Sequence, residues 1–192
     1  MTRAFFVIGP AGSGKSRVAQ ELAKRIGGPY LDKDVVCNGF TGMLLEPQGY
    51  DGSERDGNDY YRDDLMPMEY RTLLGIGATN ITLGIPVVFD APFGAYFADD
   101  DYVRNAKTEF QWPEDSEAVV VHVQVDGDTV RQRLIDRGLE RDSWKLSHWD
   151  EFWPKASGVT CAWKDARHIT IDNNAETVDG GSLADEVLTQ LR

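Results

Sequence analysis

The chain reads as an α/β fold: a five-stranded parallel sheet with helices on both faces, three layers deep. Three observations predict it. Short apolar runs alternate with amphipathic stretches along the chain, the pattern of strand–helix–strand units. A glycine-rich turn follows the first run and leads directly into a helical pattern. Two runs, Tyr30–Asp32 and Pro86–Asp90, end in aspartate. In open α/β sheets, ligands bind just outside the carboxyl ends of the strands.

Composition sets the frame. The chain has 192 residues, 41% of them apolar, enough for one domain over residues 1–192 with a proper core. No apolar run is long enough to span a membrane, and the first strand is too short for a signal peptide, so a cytoplasmic location is expected. Cys37 and Cys161 make neither a disulfide framework nor a metal site, and read as buried packing. A formal net charge of −12 argues against broad nucleic-acid binding, which needs a basic footprint. A small anion in a local basic pocket remains compatible with it.

The first strand is Ala4–Ile8. Gly9–Ser16 follows and reads G-x-x-x-x-G-K-S, the Walker A phosphate-binding loop. Its glycines let the backbone bend and bring N–H groups against phosphate oxygens. The next helix carries Val18, Leu22 and Ile26 on one face and offers its positive end to the same anion. Gly9, Ala11, Gly12, Ser13 and Gly14 are the candidate cradle. Lys15 reaches the outer phosphates, and the Ser16 hydroxyl ligates Mg²⁺. Gly27-Gly28-Pro29 ends that helix.

Tyr30–Asp32 is the second strand, with Asp32 and Asp34 at its end. A short helix and a loop through residues 48–53 follow. Pro67 opens a helix that keeps one face through Tyr70, Leu73, Gly77 and Ile81, weakened by Gly75 and Gly77. The third strand ends in Asp90, a Walker B pattern in which the carboxylate holds Mg²⁺; a turn or helix-cap aspartate is the plain alternative. Asp99–Asp101 reads as a solvated helix start. Val119–Val125 is a buried strand interrupted only by His122 and Gln124, and His122 is assigned no role. Asp126 caps the next helix. Arg133, Arg137 and Arg141 share a face if that helix continues, and suit phosphate contacts; a surface ladder with Asp136, Glu140 and Asp142 is the alternative. Trp144, Trp149 and Trp153 read as packing. His168–Asp172 is the fifth strand. Ser182 and Asp185 form a capping box for the last helix.

Taken in order, GPAGSGKS, LDKD, VVFDAP and RQRLIDRGLERD resemble the small P-loop kinases of the shikimate kinase and gluconate kinase type. Chloramphenicol phosphotransferase, the zeta toxins and polynucleotide kinase domains are neighbours of that group. The resemblance implies a P-loop NTPase fold with a helical lid at about residues 131–155. It implies ATP or GTP as donor, Mg²⁺ held by Ser16, Asp32 and Asp90, and a small-molecule hydroxyl as acceptor. Asp34 then orients or deprotonates that hydroxyl, Lys15 and Arg137 act on the phosphoryl group, and Arg133 and Arg141 join them at the nucleotide.

Two departures weaken the named substrates. Val35-Val36-Cys37 stands where gluconate kinases carry a histidine, and Ala91-Pro92-Phe93-Gly94 where shikimate kinases carry a glycine-rich loop. The acceptor pocket is expected between residues 34–70 and the 91–97 loop, with Phe40, Tyr50, Phe93 and Tyr96 as aromatic surface. That suits a nucleoside, a sugar derivative or an antibiotic-like acceptor. The alternatives are a zeta-toxin-like nucleotide-sugar kinase and a nucleotide-dependent switch or ATPase.

Overall fold

A computed structural model describes residues 1–55, 57–139, 142–158, 160–175 and 179–192. Five strands form one parallel sheet: β1 (Arg3–Ile8), β2 (Tyr30–Asp32), β3 (Val87–Asp90), β4 (Glu117–Gln124) and β5 (Arg167–Asp172), in the order β2-β3-β1-β4-β5. The glycine-rich first strand–helix turn therefore leaves from the centre of the sheet.

The sheet is covered on both sides because its central strands, β1 and β3, are apolar on both faces. Along β1, Ala4, Phe6 and Ile8 enter one core and Phe5 and Val7 the other. The first core packs under α3 (Met66–Thr82) and α4 (Tyr102–Glu109). The second packs under α1 (Lys15–Ile26), α5 (Gly127–Arg137) and α8 (Gly180–Gln190). Gly77 has a packing reason: a Cβ there would lie 2.1 Å from the Phe89 ring, so α3 approaches β3 only without a side chain.

Several boundaries differ from the sequence reading. The helix after β2 is no short piece: α2 runs Lys33–Leu45, and Asp32 caps it directly. The last helix starts at Gly180, not at Ser182. Asp179 accepts from the N–H groups of Gly181 and Ser182, and the Ser182 hydroxyl donates to it, so the cap is the aspartate. The helix carrying the arginines ends at Arg137, where Gly138 turns left-handed at φ 57°. The arginine row is broken there, and Arg141 lies outside the described residues. Two further helices, α6 (Ser143–Ser147) and α7 (Trp149–Ser157), complete the segment expected as a lid. Trp149 and Trp153 stack at 5.5 Å and pack against the second core, whereas Trp144 is exposed. Both cysteines are free and buried.

Candidate active site

The Gly9–Ser16 loop joins β1 to α1 with the anion-binding end of the helix left open. The Asp32, Asp126 and Asp179 side chains cap α2, α5 and α8. The α1 N-cap is Gly14, which brings no side-chain cap, and no acidic residue lies in the first turn. The first N–H groups of α1 are therefore available to an external anion. Gly9 must be glycine: a Cβ would meet Ser13 Oγ at 2.7 Å and the Val123 carbonyl at 2.8 Å. Ser13 Oγ is buried with no partner among the described residues, an orphan that a bound phosphate would satisfy. The loop is braced from below by Asn173, whose Nδ2 donates to the Ser13 carbonyl at 2.7 Å.

A cleft of about 400 Å³ opens over this loop. From the loop, Ala11, Gly12, Lys15 and Ser16 line it; from the strand ends, Asp32, Asp34 and Asp90; from the far side, Arg137 and Lys145. Asp32 and Asp90 are cross-strand register partners. Asp32 uses Oδ1 to accept from the Asp34 and Val35 N–H groups. Its Oδ2 lies 3.1 Å from the Tyr30 hydroxyl, which also contacts Asp90 Oδ2 at 2.7 Å. One hydroxyl proton thus stands between two carboxylates. Burial, and then the Asp90 carboxylate, raise the Tyr30 pKa and keep that proton in place. The all-oxygen set of Ser16, Asp32 and Asp90 suits a hard cation such as Mg²⁺ shared with phosphate oxygens. Among the described residues no group of three His, Cys, Asp or Glu side chains forms a metal cage by itself.

Asp34 is half-exposed, and its Oδ1 lies 3.1 Å from Lys33 Nζ. Lys33 is in turn anchored by Glu69, which is fully buried. Glu69 accepts from Lys33 Nζ at 2.9 Å, Tyr61 Oη at 2.9 Å and Thr41 Oγ1 at 2.6 Å. Burial alone would lower the Lys33 pKa; the Glu69 carboxylate outweighs it and raises it. On the far side of the cleft, Asp142 is fully buried and accepts from Arg137 Nε at 2.6 Å and Lys145 Nζ at 3.0 Å. Burial pushes the Asp142 carboxyl up, and these two cations more than reverse it, so it sits below the usual carboxylate range.

Other expected site residues are placed elsewhere. Arg133 does not line the cleft; its Nη2 donates to the Asn173 and Ala175 carbonyls and ties α5 to the loop after β5. Phe93 is fully buried, edge-on to Phe6 at 5.3 Å and Trp163 at 5.6 Å, and is core. Tyr96 stacks on Tyr102 at 4.8 Å, and Tyr50 on Tyr60 at 6.5 Å. Phe40 lies half-buried on α2. None of these four aromatics lines the cleft or its neighbouring chamber.

That chamber is the larger of the two spaces, about 630 Å³, and none of residues 34–70 of the expected pocket lines it. Pro92, Gly94 and Phe97 form one wall and Trp153, Ala156 and Ser157 of α7 another; His122, Gln124 and Thr170 form the floor. It shares Ala11, Lys15, Pro92 and Lys145 with the phosphate cleft. The signal for it in the sequence is the pair of polar residues interrupting an otherwise apolar β4.

Comparison with known proteins agrees with this geometry. The profile of an AAA domain matches residues 5–154, most of the chain. The chain belongs to the AAA domain family. As an AAA domain it is similar to shikimate kinases. The protein from Ruegeria pomeroyi is 31% identical over 93 residues, covering 48% of this chain and 41% of its own length. The one from Bradyrhizobium diazoefficiens is 26% identical over 135 residues, covering 70% and 55%. The chain thus spans about half the length of these relatives or less. A sugar kinase from Janibacter has the same fold, with a TM-score of 0.64 at 18% identity, covering 100% of this chain and 95% of the other. Among the described residues no helix is long and apolar enough to cross a membrane.

Proposed function

We propose that this chain transfers the γ-phosphoryl group of ATP or GTP to a hydroxyl group of a small molecule. The observation that carries the reading is the second chamber. It is about 630 Å³ and shares Lys15 and Lys145 with the phosphate cleft, so a molecule held there lies beside the phosphates. The likeness to shikimate kinases and to a sugar kinase supports the same class.

The phosphate loop and the open end of α1 hold the donor phosphates. Ser16, Asp32 and Asp90 would hold Mg²⁺, which when bound would supply charge neutralisation at the phosphates. The acceptor hydroxyl oxygen forms a bond to the γ-phosphorus as the bond to the β–γ bridging oxygen breaks. Nucleoside diphosphate leaves with that oxygen. The hydroxyl proton passes to an Asp34 carboxylate oxygen, which Lys33 holds in place. Lys15, Arg137 and Lys145 neutralise the transferring oxygens, and catalysis is mainly positioning and charge stabilisation. Closure of α6 and α7 over the cleft excludes water as a competing acceptor.

The test is ADP release, measured against a panel of sugars, nucleosides, hydroxy acids and hydroxylated antibiotics. A product heavier by one phosphate, formed by the wild type and lost in Lys15→Ala, is the expected result. Rapid hydrolysis without acceptor, unaffected by Asp34→Asn, and no phosphorylated product from any compound would defeat the proposal.

A further inference from the structure

We infer that His122 selects an uncharged, hydroxyl-bearing acceptor, by presenting a bare ring nitrogen in the chamber floor. This rests on the kinase reading for the meaning of the chamber, but its geometry stands separately. Along β4, Ala118 and Val120 point into the first core; His122 is the next residue on that face, and Gln124 follows. The apolar layer stops at His122, and the chamber begins there.

With both rings neutral, the hydrogen bonds set the tautomers. The Trp163 carbonyl lies 2.7 Å from His168 Nε2 and can only accept, so His168 Nε2 carries the proton. In the neutral ring, His168 Nδ1 is then bare and accepts from His122 Nε2, 2.8 Å away. A neutral His122 that donates from Nε2 has a bare Nδ1, and no protein donor meets that nitrogen among the described residues. The chain is rigidly based: Trp163 is buried, with its own Nε1 donating to the Tyr96 carbonyl at 2.9 Å. Burial, and then the neighbouring His168, push His122 down to about 4, so the ring stays neutral at ordinary pH.

The floor therefore offers a lone pair, which accepts from a hydroxyl and repels a carboxylate. The only charged side chains among the chamber's described lining are Lys15 and Lys145. Both lie where the chamber meets the phosphate cleft, and Lys145 is also held by the Asp142 carboxylate. The walls are apolar at Pro92, Phe97 and Trp153, which suits the faces of a ring. A neutral sugar or nucleoside fits this lining. An acid such as shikimate or gluconate places its carboxylate against His122 or against the cations needed at the phosphates.

The experiment pairs turnover with calorimetric binding, using glucose, ribose and uridine as neutral probes and shikimate and gluconate as acids. The expected result is at least tenfold higher kcat/KM for the best neutral probe than for either acid. His122→Phe is expected to raise KM for that probe about tenfold. His122→Gln, which keeps a polar side chain of similar length, guards against a folding defect and is expected to fall between the two. Turnover of an acid at or above the neutral probes overturns the inference and leaves the kinase reading intact, as does unaltered selectivity in both variants. Neutral binding without any phosphorylation, lost in His122→Phe, keeps the inference and removes the kinase reading. Binding of neither class overturns the inference.

Discussion

Glu69→Gln changes one oxygen to an NH₂ group and removes the buried carboxylate that pairs with Lys33. Glu69 is 0% exposed and the Lys33 side chain 8%, so neither can be rehydrated without opening the structure. Breaking a buried ion pair by neutralising one partner costs about 3–5 kcal/mol. Lys33 retains Asp34 at 3.1 Å, but that carboxylate is 55% exposed and its attraction is screened. The lower end of the range, about 3 kcal/mol, is therefore expected. With a urea m-value of about 2 kcal/mol/M, the unfolding midpoint falls by about 1.5 M.

The double variant Lys33→Met with Glu69→Leu removes both charges and fills the space with apolar atoms. It is expected to recover most of the loss, since desolvation of the pair is no longer required. The sign of the pH dependence follows from Lys33. Its folded pKa is raised above the ordinary 10.5, so the stability it contributes is fully present below 10.5 and lost only as pH rises through the folded value. The effect should be flat between about pH 6 and 9. Urea unfolding monitored by tryptophan fluorescence measures it. A midpoint shift under about 0.5 M, or a double variant as unstable as the sum of the singles, would refute the reasoning.

Gly9→Ala places a methyl 2.7 Å from Ser13 Oγ and 2.8 Å from the Val123 carbonyl, so the loop must shift; nucleotide affinity by calorimetry should fall about 10- to 100-fold, as misplacement of a fixed donor set predicts. Asn173→Ala strips the Ser13 carbonyl of its brace and should cost about 1–3 kcal/mol in thermal unfolding, with weakened nucleotide binding alongside. Asp142→Asn releases Arg137 and Lys145 from a common anchor and should lower kcat about 10²-fold while leaving nucleotide affinity nearly unchanged, read by steady-state kinetics against calorimetry. Because the folded Asp142 pKa lies below the ordinary 3.8, the wild-type anchor should hold above that pH and fail as pH falls through the folded value, a loss absent from the variant.

What could be read before folding was whatever one stretch of chain carries by itself. The strand, glycine loop and helix of residues 3–26 are adjacent in sequence, and the Asp126 cap is a contact between near neighbours. Asp32 and Asp90 were legible because each ends an apolar run, and the parallel register sets the two opposite each other. Tyr30, Glu69 and Lys145 were not legible, and Asp142 was legible only as a surface partner of the arginines, not as a buried anchor. Each acquires meaning from a partner on another element or beyond a turn, and each reads alone as ordinary surface or strand. Phe93 failed for a related reason. A phenylalanine after a strand end has the same local signal whether it faces a ligand or the core, and only the packing of Phe6 and Trp163 decides it. The arginine row failed at Gly138, where the left-handed turn ends the periodicity on which the shared face depended.

The two charge networks explain why the cleft sits between fixed walls. On one side, buried Glu69 holds Lys33, and Lys33 meets Asp34. On the other, buried Asp142 holds Arg137 and Lys145. Each wall thus presents a partly exposed working group whose orientation is set by a buried carboxylate behind it. A cation held in this way is already oriented before transfer begins, so less side-chain entropy is lost in reaching the transition state. In the proposed reaction Asp34 acts on the acceptor and Lys145 on the donor, and both line the cleft with Lys15 and Ser16. In the proposed reaction a hydroxyl from the 630 Å³ chamber would meet the phosphoryl group between the two walls. Water has no comparable means of being held there. Preference for an alcohol over water would then arise from the two anchored walls and the chamber together, and not from the phosphate loop, which serves a hydrolase and a kinase equally well.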